Sequence, residues 1–232
     1  MVETRDSSEN LQEDMEQKSI PILMLKYRSP EIEKATEKSI INNTQWPMRL
    51  LLRDNSEGTK NMAELWNDFL LHDLWRWEKF AVILDSDVIV HKGWLTKMME
   101  VALDEKRHVG VVVPKTNYCN ESIQVNPPHD EAFAYAIGQV SGFCFLVNMD
   151  AYRDNGPFDE SFGFYGQDTD FFVRMAFTTD WAVMVQPEAY VEHLGHYSTR
   201  MVTDDCYDYA ADKEHAMRLF VAKAKTYGYN VP

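Results

Sequence analysis

The residues best equipped for chemistry are Asp85 and Asp87 in Leu84-Asp85-Ser86-Asp87-Val88, at the end of the hydrophobic run Phe80-Ala81-Val82-Ile83-Leu84. Two carboxylates one residue apart, at the mouth of a buried strand, offer hard oxygen ligands that share one divalent cation, Mn²⁺ or Mg²⁺. A cation there could neutralise a diphosphate. Two later groups extend the idea. Gly166-Gln167-Asp168-Thr169-Asp170 sets two carboxylates near the start of a helix, and His193 with His196 supplies imidazole nitrogens. Together they suggest metal-assisted chemistry on a nucleotide-activated substrate. Each group also has a plainer explanation. Asp85 to Asp87 could be a solvated turn, Asp168 a helix cap, and His193 an orienting or surface histidine. A zinc site would need more convergent ligands than this histidine spacing gives.

The elements that must position these groups alternate between strand and helix. Ile20 to Tyr27, Met48 to Arg53, Phe80 to Leu84 and Val109 to Val113 read as strands, with Val88 to Val90 continuing the third beyond the Asp pair. Helices are expected after Ser29-Pro30, over Asn61 to Leu71, and after Gly93-Trp94. Asp54-Asn55-Ser56-Glu57-Gly58 is a strong turn signal. Later, Val140 to Val147 reads as a strand interrupted by Gly142, Met149 to Asn155 as a short helix, and Asp170 to Phe177 as a helix. Trp181 to Val185 and Ala189 to Glu192 read as separate extended pieces, and Asp212 to Tyr227 as a final helix. This alternation argues for a mostly parallel sheet covered on both faces.

A chain of 232 residues with 45% hydrophobic residues fits one large α/β domain. Residues 1–19 are polar and acid-rich and read as a peripheral arm, with the folded body starting near Ile20. A net charge of -14 argues against a broad basic surface for nucleic acid, but not against a nucleotide held through a metal. Three cysteines make no disulfide framework, and no stretch nears the ~20 apolar residues that span a bilayer. A cytoplasmic protein is expected, with peripheral membrane contact left open.

In the order and spacing of its motifs the chain resembles the nucleotide-sugar-dependent glycosyltransferases of GT-A fold, most of all glycosyltransferase family 2. The resemblance runs from about Ile20 to the final helix. It rests on Pro21 to Tyr27, Asp54-Asn55-Ser56, Asp85-Ser86-Asp87 with Trp94-Leu95, Ser141-Gly142-Phe143, Gly156-Pro157-Phe158-Asp159-Glu160, Gly166 to Arg174, and His193. It implies a GT-A-like three-layer α/β/α domain with a central, mostly parallel mixed sheet. The nucleotide-binding part would cover about residues 20–113 and the acceptor-binding part about residues 114–232.

The implied activity is metal-dependent transfer of a sugar from a nucleoside diphosphate donor, UDP-sugar foremost, to the hydroxyl of a glycan or other acceptor, with inversion. Asp54 would frame the base. Asp85, Asp87 and His193 would hold the metal and diphosphate, and Arg200 would assist. Asp168 would be the base, with Gly142, Tyr165, Gln167 and Asp170 near the acceptor. Gln167 departs from the family pattern, which has an acid there, so the base role falls to Asp168. His196 stands where a small residue is usual, which leaves the choice of histidine ligand open. A retaining transferase, a transferase acting on a modified nucleic-acid base, and a noncatalytic nucleotide-sugar or glycan-binding protein are the alternatives. The oligomeric state is not legible.

Overall fold

The computed structural model describes residues 19–74, 78–135, 137–195 and 209–231. His196, Arg200 and all but Ser19 of the expected arm lie outside the described residues.

The elements in chain order are β1 (Ile20–Lys26), α1 (Pro30–Asn43), β2 (Met48–Asp54), α2 (Met62–Asn67), β3 (Phe80–Asp85), β4 (Val88–Val90), α3 (Trp94–Ala102) and β5 (Val109–Thr116). Then come α4 (Ser122–Val125), β6 (Phe133–Ala134), β7 (Cys144–Asn148), α5 (Met149–Asn155), α6 (Gln167–Thr178), β8 (Ala182–His193) and α7 (Tyr209–Thr226). They form one mixed sheet in the order β2-β1-β3-β7-β5-β8-β4, with β6 against β8. Strands β1, β2, β3, β5 and β8 point one way, and β7, β4 and β6 the other.

The central strands are continuous apolar runs because both faces are covered. Alternate residues divide between two cores. Ile22, Met24, Val82, Leu84, Val112 and Leu146 pack under α1 and α3 with Ile40, Trp94 and Met98. Leu23, Leu25, Ala81, Ile83, Val111 and Phe145 pack on the other face with Trp66, Tyr152, Phe171 and Phe172. Burial of this kind is worth roughly 1.5–3 kcal/mol per large side chain.

Four expectations are corrected by the structure. Val88 to Val90 does not prolong the third strand. It turns away at Ser86-Asp87 and pairs antiparallel with β8, Val88 opposite His193. Val140 to Phe143 is not strand. Side chains meet the Ser141 N–H and O and the Gly142 N–H in place of a ladder, and the strand begins at Cys144. The two extended pieces after Trp181 are one strand, because an irregular register against β5 between Pro114 and Lys115 absorbs Pro187, Glu188 and Ala189. The helix starting at Met62 changes to a wider π-helical turn over Asp68–Asp73.

Two further devices matter for the site. Asn67, buried at the end of α2, accepts hydrogen bonds from Phe158 N–H and Tyr152 O–H at 2.9 Å each, and donates to Phe158 O and Glu160 Oε1. This ties α2 to the loop before α6. Asn67→Ala leaves both of those donors buried without an acceptor, at about 1–3 kcal/mol each. A loss of about 2–4 kcal/mol in urea unfolding is expected. A loss under about 1 kcal/mol would show that the two donors find other acceptors.

The second device is α7. Asp212 Oδ2 accepts from Phe164 N–H at 2.8 Å, Lys223 pairs with Asp159, and Tyr227 O–H donates to Asp170 Oδ1 at 2.9 Å. Ala216, Phe220 and Ala224 pack on Phe162 and Val173 beneath the same loop.

Candidate active site

Parallel strands end at one edge of a sheet, and ligands of open α/β folds bind there. Here β1, β2, β3, β5 and β8 end at Lys26, Asp54, Asp85, Thr116 and His193 along that edge. A cavity of about 390 Å³ opens above it. One wall carries Lys26, Tyr27, Asn55, Asn61 and Leu65, the other Tyr118, Cys119, Gly142, Tyr165 and Asp168. Asp85, Ser86, Asp87, Phe143 and His193 lie between them.

The Asp85 to Asp87 turn is held from behind. Thr36 Oγ1 donates to Ser86 O at 2.7 Å, and Asp85 N–H donates to Phe143 O at 2.8 Å. The β4–β8 pairing then brings His193 to the turn, with Leu194 N–H donating to Asp87 O at 2.9 Å. The imidazole is oriented twice over. It stacks on Phe143 with centroids 4.6 Å apart, and Nδ1–H donates to Tyr118 O at 3.0 Å. That fixes the lone pair on Nε2, 3.6 Å from Asp87 Oδ1.

Asp85 Oδ1 is buried and has no hydrogen-bond partner. Burial, then the charges of Asp87 and Asp168, push its carboxyl well above the ordinary carboxylate range. Buried carboxylates crowded in this way are costly without a counter-charge, so the residues present fit a divalent cation. Among the described residues no three His, Cys, Asp or Glu side chains converge closely enough to hold an ion unaided. A cation would therefore need oxygens from a bound ligand or water, as Mg²⁺ and Mn²⁺ sites in phosphate enzymes commonly do.

Across the cavity, Asp168 stands in the first turn of α6. The residue before that helix, Gly166, has φ +88°, a conformation that favours glycine, and a Cβ there would press within 2.9 Å of the Phe162 ring. Asp168 Oδ2 accepts from Gly142 N–H at 2.7 Å and Oδ1 from Thr169 N–H at 2.8 Å. Burial raises its pKa, and these hydrogen bonds oppose the rise. A Cβ on Gly142 would lie 2.6 Å from Asp168 Cβ. Gly142→Ala must push the carboxylate aside, and misplacement of that order costs about 10²-fold in turnover. The expected result is that loss with nucleotide affinity kept. Normal turnover would show that the carboxylate's position does not matter.

Asp85, Asp87, Gly142, Tyr165, Gln167, Asp168 and His193 thus meet in one cavity. Two expected residues do not. Asp54 Oδ1 is used in its own turn, accepting from Ser56 N–H at 2.8 Å; the Ser56 hydroxyl and then this N–H lower its pKa, and its neighbour Asn55 faces the cavity instead. Asp170 is fully buried against α7 through Tyr227, because it lies two residues past Asp168 and so on a different helix face. Arg200 lies outside the described residues. Sequence reasoning missed Gln124, Thr36 and Asn117, whose Oδ1 accepts from His193 N–H at 2.8 Å. No motif marks them, since each acts through backbone atoms.

Neither a protein-family model nor a curated protein sequence matches the chain. Solved structures do. Residues 1–349 of S. aureus TarS match with a TM-score of 0.57 at 12% identity, over 90% of this chain and 72% of that one. GalNAc-T7 with UDP, GalNAc and Mn²⁺ matches with 0.61 at 10%, over 90% of this chain and 53% of that one. The mannosyltransferase PcManGT from Pyrobaculum calidifontis, in complex with GDP-Man and Mn²⁺, matches with 0.59 at 13%, over 91% and 74%. The chain has a GT-A-like fold. It spans about half the length of the GalNAc-T7 chain. In this GT-A-like frame the cavity sits at the strand edge where β1 to β3 and the turn after β3 converge. No helix among the described residues is long and apolar enough to cross a membrane.

Proposed function

We propose that the chain transfers a sugar from a nucleoside diphosphate donor to an acceptor hydroxyl, with inversion at the anomeric carbon. One observation carries the reading: Asp85, Asp87 and the oriented His193 lie in the same cavity as a single hydrogen-bonded carboxylate, Asp168. The similar structures support it, since one holds UDP, GalNAc and Mn²⁺ and another GDP-Man and Mn²⁺.

Asp87 and His193 Nε2 would hold the divalent cation directly, with Asp85 contacting the ribose or the cation through water. The bound cation would neutralise charge on the departing diphosphate. Asp168 takes the proton of the acceptor hydroxyl. The acceptor oxygen forms a bond to the anomeric carbon, and the bond from that carbon to the diphosphate breaks, its electron pair leaving with the phosphate oxygen. One carboxylate acting on the acceptor suits a single displacement, hence inversion. The wall from Lys26 to Leu65 takes the nucleoside. Tyr118, Tyr165 and Gln167 meet the acceptor.

The test is calorimetric binding of UDP, GDP, ADP and CDP with and without Mn²⁺, followed by sugar release from the matching nucleotide sugars. Metal-dependent binding of one nucleotide, with UDP tried first, and turnover of its sugar are expected. Binding without turnover would make the protein a nucleotide-sugar binder, and no binding by folded protein would overturn the reading altogether.

A further inference from the structure

Gln124 lies in the short helix α4 and is fully buried, which is unusual for an amide. Its hydrogen-bonding capacity is filled. Oε1 accepts from Ser141 N–H at 2.7 Å and faces the Cys119 thiol at 3.9 Å. Nε2 donates to Ser141 O at 3.3 Å and to Pro114 O at 3.4 Å. The side chain grips Ser141 by both its backbone groups, as a neighbouring strand would, at the place where the sheet ladder is missing. The next residue is Gly142, whose N–H reaches Asp168 Oδ2 at 2.7 Å. A buried amide therefore fixes a peptide that fixes a carboxylate.

We infer that Gln124 is a positioning residue that sets the orientation and acidity of Asp168 by anchoring the Ser141-Gly142 backbone. This rests on the reading of Asp168 as the base. Gln124 does not line the cavity and stands apart from the nucleoside wall, so its influence falls on the acceptor side alone. The carboxylates that feel the charge of Asp168 are Asp85, at the end of β3, and Glu121, just before α4. Neither is altered by changing Gln124.

The experiment follows the Asp168 carboxyl by ¹³C NMR titration of the whole protein, the signal assigned by its loss in Asp168→Asn. Gln124→Met keeps the length and apolar volume but removes every hydrogen bond of the amide. Gln124→Asn adds no charge but is one methylene too short to hold both backbone groups of Ser141 and Pro114 O, and it serves if the methionine variant fails to fold. Without its anchor the Gly142 N–H drifts from Asp168 Oδ2, and the charged form loses a donor. The Asp168 titration is expected to move up by about one pH unit. Sugar release falls about tenfold at a pH below both the old and the new midpoint, with nucleotide affinity within about twofold of wild type.

An unmoved titration in a folded variant overturns the inference. So does a nucleotide affinity that falls along with the titration, which would mark a general packing role. Because the titration is read without turnover, the two levels separate. Full transfer by Asp168→Asn would overturn the base reading, and with it the catalytic meaning of Gln124. Lost transfer in Asp168→Asn beside an unmoved titration in Gln124→Met overturns the inference alone.

Discussion

Asp168→Asn is expected to leave nucleotide binding at the wild-type level and to lower sugar transfer by about 10²–10⁴-fold, the range a well-placed general base supplies. The amide keeps an oxygen for Gly142 N–H, so the local structure holds, but it has no affinity for a proton at neutral pH. The same carboxyl sets the acid limb of the pH profile. Burial raises its pKa above the ordinary carboxylate value. With Asp168 as the proposed base the active form is the ionised one, so activity is expected above that raised pKa and is expected to be lost as pH falls through it. The loss therefore begins at a higher pH than an exposed aspartate would give. The measurement is kcat against pH for wild type and variant, beside nucleotide calorimetry on both. Undiminished transfer by the variant would remove Asp168 from the mechanism.

The second large effect is at the other side of the cavity. Asp87→Ala removes the carboxylate that faces His193 Nε2 and is expected to abolish the Mn²⁺-dependent part of nucleotide binding, with turnover falling below detection. Asp87 is buried, its carboxylate accepts no hydrogen bond among the described residues, and its contact with His193 Nε2 at 3.6 Å is too long for one. Its removal therefore relieves charge crowding on Asp85 and costs the fold little. The variant should unfold at or above the wild-type denaturant midpoint while losing its ligand. That combination, stability kept and affinity lost, marks a functional charge. Metal-dependent affinity persisting in Asp87→Ala would move the cation elsewhere.

The sheet was legible wherever a strand was a continuous apolar run with both faces covered. Phe80 to Leu84 and Val109 to Val113 could hardly lie elsewhere. The reading failed where side chains replaced the ladder. Val140 to Phe143 has the composition of a strand, yet Gln124 and Asp168 take over its backbone groups. It failed also at Val88, where only the distant partner strand β8 tells a continuation from a reversal.

Asp85, Asp87, Asp168 and His193 line one cavity, and each could be singled out in the sequence because its chemistry is written in its own side chain. Asp170 was misplaced because a two-residue step along a helix changes face, and whether Asp168 or Asp170 turns inward depends on α7, far along the chain. Asp54 was drawn off by a local hydrogen bond to Ser56. Gln124 and Thr36 act on backbone atoms distant in sequence, and no spacing rule reveals such contacts.

Helix α7 grips the loop that leads to Asp168 through Asp212 and Lys223. During synthesis β1 to β3 and the two aspartates of the turn are made well before β8 and α7, and folding during synthesis follows that order. The cavity lining from Lys26 to Asp87 is therefore made before His193 and before the helix that braces the loop ahead of Asp168. The two sides of the cavity are completed at different times in the growth of the polypeptide.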